Sequence, residues 1–228
     1  MCFSPEVSFA AAALLIPCSV YSISKARKVA PKFLMLAALP AVFGLQQICE
    51  GFVWLGLNNG GARLVRVASL AFLFIASTFW PCWIPLSSAL IETRRRAKRW
   101  FYALTALGTV VGLAFFIPVL MNSNDWLTTK IVGHSIAYEF KTLSPLQDIS
   151  DGAWQLLYAL IILIPLLASE RRQIQIFGVL VVLSAVSSYL FFAYAFLSVW
   201  CLFAALLSAY LVVLLCKISS NHPSSSHL

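Results

Sequence analysis

Residues 176–216 include no Asp, Glu, Lys, Arg or His. As one helix that run would extend about 60 Å at ~1.5 Å per residue, twice the ~30 Å hydrocarbon thickness of a bilayer. It therefore predicts two membrane-length helices in a tight hairpin that turns near residues 192–196. The rest of the chain reads the same way. Seven apolar segments emerge, at about 5–24, 33–57, 64–91, 100–121, 153–169, 173–192 and 195–216, each close to the ~20 residues that cross a membrane. Of the 228 residues only 11% are charged and 61% are hydrophobic, with a mean hydropathy of +0.89. So few charges cannot cover the surface of a soluble domain of this size. The expected fold is an all-α integral membrane protein, a seven-transmembrane-helix bundle, with the lipid bilayer as its surroundings.

Orientation follows from lysine and arginine. Lys25, Arg27, Lys28 and Lys32 follow segment 1, while Arg94, Arg95, Arg96, Lys98 and Arg99 follow segment 3. Arg171 and Arg172 follow segment 5, and Lys217 follows segment 7. Twelve of the 16 basic residues thus fall on one side, leaving Arg63, Arg66, Lys130 and Lys141 on the other. The positive-inside rule places the N-terminus outside and the C-terminus in the cytoplasm. The net charge of +8 is accounted for by these clusters, and no nucleic-acid-binding module accompanies it. The basic loops, above all "ETRRRAKRW", read as topology anchors that touch anionic lipid. The N-terminal stretch lacks a basic region before its apolar run, which predicts a retained first helix in place of a cleaved signal.

The sequence divides into a transmembrane domain at 1–217, with an outer loop at about 122–152, and a polar cytoplasmic tail at 218–228 expected to be disordered. Within the loop "KIVGHSIAYEF" alternates with period two, which predicts a short strand or β-hairpin. His134, Ile136, Tyr138 and Phe140 would share one face of it and lie over the helix ends as a lid.

Glu50 lies deep inside an apolar segment, in "LQQICEGFVW", with no other carboxylate between residues 34 and 57. An ionisable group near the middle of a spanning helix costs roughly 2.5–3.5 kcal/mol on insertion scales, so it faces protein or water. Gln46 and Gln47 precede it by four and three residues, which brings both amides to its side of the helix. Three roles fit: a proton or cation site, a polar bond between helices, or a carboxylic acid kept in its neutral form. His134 is the only histidine outside the tail, and it falls on the outer side with Glu50; His222 and His227 fall on the opposite side. A divalent metal such as zinc would need His134 joined by Glu50, Asp148, Asp151 or Cys2, yet no ligand spacing announces such a site. The six cysteines form no C-x-x-C pair; Cys2, Cys49 and Cys201 share the outer half. Pro81 and Pro85 should kink segment 3 and free carbonyls that neighbouring helices or waters must satisfy. Tyr189, Tyr194 and Trp200 suit either a pocket wall or an interfacial belt. No nucleotide-binding loop or hydrolase signature is present.

With "MCFSPEVSF", "LQQICEGFVWLGL", "FWPCWIPLS", "IVGHSIAYEF" and "SYLFFAYAFLSVWCLFAA" in order, the chain resembles a family of small bacterial multi-pass membrane proteins that begin Met-Cys-Phe-Ser and have no known function. The resemblance spans nearly the whole chain and carries over Cys2, Ser4, Gln47, Glu50, Trp80, His134, Tyr138, Trp200 and Cys201. It implies a bacterial inner-membrane location and no particular activity. Comparison with the ceramidase and adiponectin-receptor-like membrane hydrolases fails at their three-histidine zinc set, which this chain lacks. The leading expectation is an outward-facing polar pocket around Glu50, Gln46 and Gln47, binding a proton, cation or small polar ligand for transport or sensing. His134 and Tyr138 would cover it, and Trp200 and Cys201 would form the opposite wall. A metal-dependent membrane hydrolase using His134 and a structural or assembly subunit are the competing expectations.

Overall fold

A computed structural model describes residues 4–140, 151–192 and 195–220. Cys2, Lys141, Asp148, Tyr194 and the tail residues 221–228 lie outside the described residues. Helix α1 spans Pro5–Val29, opened by Ser4, whose hydroxyl accepts from Val7 N–H, and by Pro5 in the first turn. A short turn, α2 at Leu34–Ala37, leads into α3 at Leu39–Asn58. Helix α4, Ala62–Phe74, continues through a π-helical turn at Ile75–Phe79 into α5, Trp80–Ile91. Helix α6 is Arg95–Met121, followed by the single turn α7 at Ser123–Trp126. Strands β1, Leu127–Val132, and β2, Ser135–Phe140, then pair antiparallel. Helices α8, Asp151–Leu167, α9, Arg172–Phe192, and α10, Phe196–Ser220, complete the bundle. Five helical stretches are long and apolar enough to cross a membrane: Pro5–Lys28, Pro31–Asn58, Ala62–Ile91, Arg95–Met121 and Arg172–Phe192. The apolar stretches of α8 and α10, Ala153–Leu167 and Ser198–Val213, are shorter. The long apolar run of residues 176–216 breaks between Phe192 and Phe196.

Where a kink was expected at Pro81 and Pro85, the helix carries a π-helical turn before Pro81 and runs on as an α-helix through Pro85. An α-helix would bring the N–H groups of residues 81 and 85 to the carbonyls of Ser77 and Pro81, and both donors are missing. The π-turn widens the helix just before Pro81 and leaves Trp80 N–H on the Ile75 carbonyl. The Ala76 carbonyl is taken instead by Tyr158 Oη–H from α8, at 2.5 Å. The Ser77 and Pro81 carbonyls face α6 where it carries Gly108 and Gly112. A Cβ at Gly108 would sit 2.2 Å from the Pro81 oxygen, and one at Gly112 2.6 Å from the Ser77 oxygen. This small-x-x-x-small pair thus allows α6 to approach the proline-broken backbone closely, as helices do where apolar burial alone cannot select a partner.

The two ends of the bundle differ. At the basic end Glu92, just past α5, accepts from Thr93 N–H, Arg94 N–H, Arg94 Nε and Nη2, and Glu170 N–H at 3.0–3.1 Å. Arg94 Nη2 also donates to the Ala168 carbonyl, and Thr93 Oγ1 to the Glu170 carboxylate. The α5–α6 and α8–α9 connections are thereby locked together. Arg94 and the backbone donors around Glu92 hold its carboxyl down at about 2. Arg171 lies 4.9 Å over the Phe33 ring, bringing the α1–α2 connection to the same end. The hairpin occupies the opposite end.

Candidate functional site

Helix α3 carries the polar cluster, and α5 and α10 complete it. Gln46, Gln47 and Glu50 are fully buried, as is Ser198 on α10; Trp80 and Cys201 are almost so. Glu50 Oε1 accepts from Ser198 Oγ–H at 2.5 Å, and Oε2 accepts from Gln47 Nε2 at 3.2 Å. Gln47, three residues before Glu50, meets it on the same face as the helical spacing requires. Gln46 bonds elsewhere. Its Oε1 accepts from Trp80 Nε1 at 2.8 Å, and its Nε2 donates to Cys201 Sγ at 3.2 Å. Ser198 and Cys201, three residues apart on α10, therefore receive Glu50 and Gln46 as successive rungs between two helices.

Burial makes each of these bonds costly to lose, because a buried polar group without a partner forfeits its hydration. The Oε1 of Gln47 has no hydrogen-bond partner among the described residues, and neither has Trp54 Nε1 or Trp200 Nε1. Beside the cluster lies a cavity of about 30 Å³ lined by Trp80, Tyr158, Trp200 and Cys201 among apolar side chains, with room for roughly one or two water molecules.

The hairpin reaches the cluster through Tyr138. Its ring stacks on Phe72 at 4.7 Å, in a cluster with Leu73, Ala76 and Cys201 against which Cys49 also packs. Ile136 is fully buried against Val53 and Trp54. Sequence alternation placed His134 on the same strand face as these two, but the register pairs Val132 with Ser135 and leaves Gly133 and His134 as the two-residue turn. Gly133 has φ +60°, the conformation such a turn requires at its first position. His134 is consequently exposed at the hairpin tip, while Glu50 is enclosed. Among the described residues no group of three or more His, Cys, Asp or Glu is arranged to hold a metal ion.

Of the residues singled out in the sequence, Gln47 and Glu50 form one bonded group with Ser198, and Gln46, Trp80 and Cys201 form another. Tyr138 packs on the cluster that contains Phe72 and Cys201, and Trp200 lines the small cavity with Trp80, Tyr158 and Cys201. Ser198 was not foreseen, since a serine in an aromatic run carries no signal beyond its place one turn before Cys201. Tyr158 was also missed, although the prolines of the facing helix announced that some donor was needed. An open cleft of about 490 Å³ lies at the hairpin end, lined by Gly56, Arg66, Asn124 and Thr128 among others, and Glu50 is not part of its wall.

A helical bundle bearing a β-hairpin and closed over a buried carboxyl–carboxamide cluster is the class of protein these features define. The chain belongs to a family of unknown function, DUF6629, whose model matches residues 1–227. No curated protein and no solved structure matches it.

Proposed function

We propose that the protein is a seven-span membrane protein of the bacterial inner membrane in which Glu50 takes up and releases a proton, as the working group of a transporter or sensor. The apolar stretches of α8 and α10 serve as spans beside the five longer ones. The N-terminus and the hairpin face outward, and the basic end meets anionic lipid in the cytoplasmic leaflet. The observation that carries the reading is the enclosure of Glu50: a fully buried carboxyl bonded to Ser198 and Gln47 on a helix of membrane length. Ionisable residues at such positions mark proton and ion pathways. Of the ligands a polar pocket might take, a proton needs no cavity, and the space beside the cluster admits little more than water.

The test is infrared difference spectroscopy of the detergent-purified chain across a pH titration. The wild type should show the carbonyl band of a protonated carboxylic acid that comes and goes with pH. Glu50→Gln should lose that band, and Ser198→Ala should shift its frequency while the helix content stays unchanged. A titrating band that survives in Glu50→Gln, or a wild type with none at any pH where the fold holds, rules out the proton role.

A further inference from the structure

The second site is the cleft at the hairpin end. Its walls come from the end of α3 and the turn after it (Gly56, Leu57, Gly60), the start of α4 (Ala62, Val65, Arg66), α7 and β1. Its volume of about 490 Å³ falls within the range of small-molecule sites. Its chemistry is one-sided. Among the described residues Arg66 is the only ionisable one in the wall, and the remaining polar side chains are Ser123, Asn124, Thr128 and Thr129. Thr129 is already bonded to Ser69 at 3.0 Å. Leu57, Val65 and Leu127 make the wall apolar elsewhere.

Arg66 itself is half-buried. The ion pairs formed among the described residues are Arg94 with Glu92 and Lys130 with Glu139, so the guanidinium in the cleft is held by no carboxylate there. Asp125 neighbours the lining residue Asn124 in sequence but is exposed and outside the wall. Placement sharpens the point. Arg63, Arg66, Lys130 and Lys141 are the four basic residues on the side where the charge pattern otherwise avoids them. Lys130 is paired, Arg63 is exposed, and Arg66 alone among the described three turns up in a concave wall.

We propose that this cleft binds an oxyanion carried on a small amphiphile, with Arg66 as its charged contact. The guanidinium presents a planar fork of donors that matches phosphate and carboxylate oxygens. Asn124 and the free hydroxyls of Ser123 and Thr128 supply neutral donors, and the leucine and valine side chains receive the apolar part. The positive end of α4 adds to the field of Arg66 on the same wall. A phospholipid headgroup and a soluble organic anion share this chemistry.

Two arms separate those sources while both test the site. In the first, inorganic phosphate is titrated into the detergent-purified full chain at constant ionic strength, against chloride, by calorimetry. In the second, the chain is released from nanodiscs of phosphatidylglycerol or phosphatidylcholine and retained lipid is counted by native mass spectrometry. Arg66→Gln should weaken phosphate binding, or phosphatidylglycerol retention, roughly tenfold or more, as the loss of a charge-assisted contact does. Thr128→Val should weaken it less. Arg63→Gln, which removes an exposed charge three residues away, should leave it intact. Phosphate binding without lipid retention identifies a soluble anion, and the reverse identifies a headgroup. The proposal is overturned if neither arm shows binding, if Arg66→Gln behaves as wild type, or if Arg63→Gln loses as much as Arg66→Gln.

Discussion

Glu92→Gln removes the charge from a carboxylate that accepts from five N–H groups and bolts two loops together. The side chain is fully shielded from solvent, while its partner Arg94 is half-exposed. Holding the carboxyl at about 2 instead of its ordinary 4.5 corresponds to ~3 kcal/mol of preference for the ionised, bonded form. Discounting for the solvated half of Arg94 leaves ~2–3 kcal/mol. The folded value lies below the unfolded one, so this stabilisation is complete above about 4.5 and disappears as the pH falls through about 2. Glutamine cannot supply it at any pH, and its amide N–H₂ would also confront the Arg94 guanidinium. The assay is thermal unfolding of the detergent-purified chain, followed by circular dichroism at neutral pH and at steps between pH 5 and 3. The variant should melt several degrees lower at neutral pH and show a shallower loss of stability on acidification than wild type. Equal melting temperatures at neutral pH, or an identical acid slope in the two proteins, would refute the argument.

Two further outcomes follow from the junction of α4, α5 and α6. Gly108→Ala places a methyl 2.2 Å from the Pro81 carbonyl oxygen, and Gly112→Ala places one 2.6 Å from that of Ser77; each should cost at least the ~1–3 kcal/mol of overpacking, with Gly108 the worse, as read from the melting temperatures of the pair. Tyr158→Phe strips the Ala76 carbonyl of its donor and should destabilise by ~1–3 kcal/mol, with faster amide hydrogen exchange concentrated in residues 75–85; uniform exchange in mutant and wild type would show that the π-turn holds itself.

The helices were legible because each is announced by a long apolar run, and the order of runs and basic clusters is a one-dimensional property. Pro81 and Pro85 likewise declared their unmet carbonyls in the sequence. The partners did not declare themselves. That Tyr158 answers Ala76, or that glycines four apart on α6 sit beneath Ser77 and Pro81, depends on how helices rotate against one another, which no single segment encodes. The cluster shows the same division. Helical spacing placed Gln47 beside Glu50, but it equally placed Gln46 there, and only the position of Trp80 and Cys201 turns Gln46 away. His134 was misplaced for a local reason: period-two alternation cannot tell a strand residue from one in a two-residue turn, and Gly133 before it was the available clue. Glu92 sat unnoticed beside the arginines because a lone acid in a basic run looks like surface charge, whereas its burial comes from the α8–α9 loop folding over it.

In the folded protein the buried Glu50 carboxyl and the open cleft are separate features, and the hairpin contributes to the cleft wall. Thr128 and Thr129 of β1 line the cleft, and Thr129 is the register partner of Tyr138 on β2. Tyr138 in turn packs on the cluster that includes Cys201, whose sulfur receives Gln46, on the helix that carries Glu50. Contact alone does not make coupling; that requires an element with two arrangements whose balance both sites bias. The hairpin is the element that borders both the cleft and the cluster containing Cys201. Its β2 face is fixed in the bundle by Ile136 and Tyr138, while Lys130 and Glu139 on its other face form a solvent-exposed pair of little energetic weight. The Thr129–Ser69 bond ties β1 to α4 and the Tyr138–Phe72 stack ties β2 to the same helix, so both attachments fall on α4.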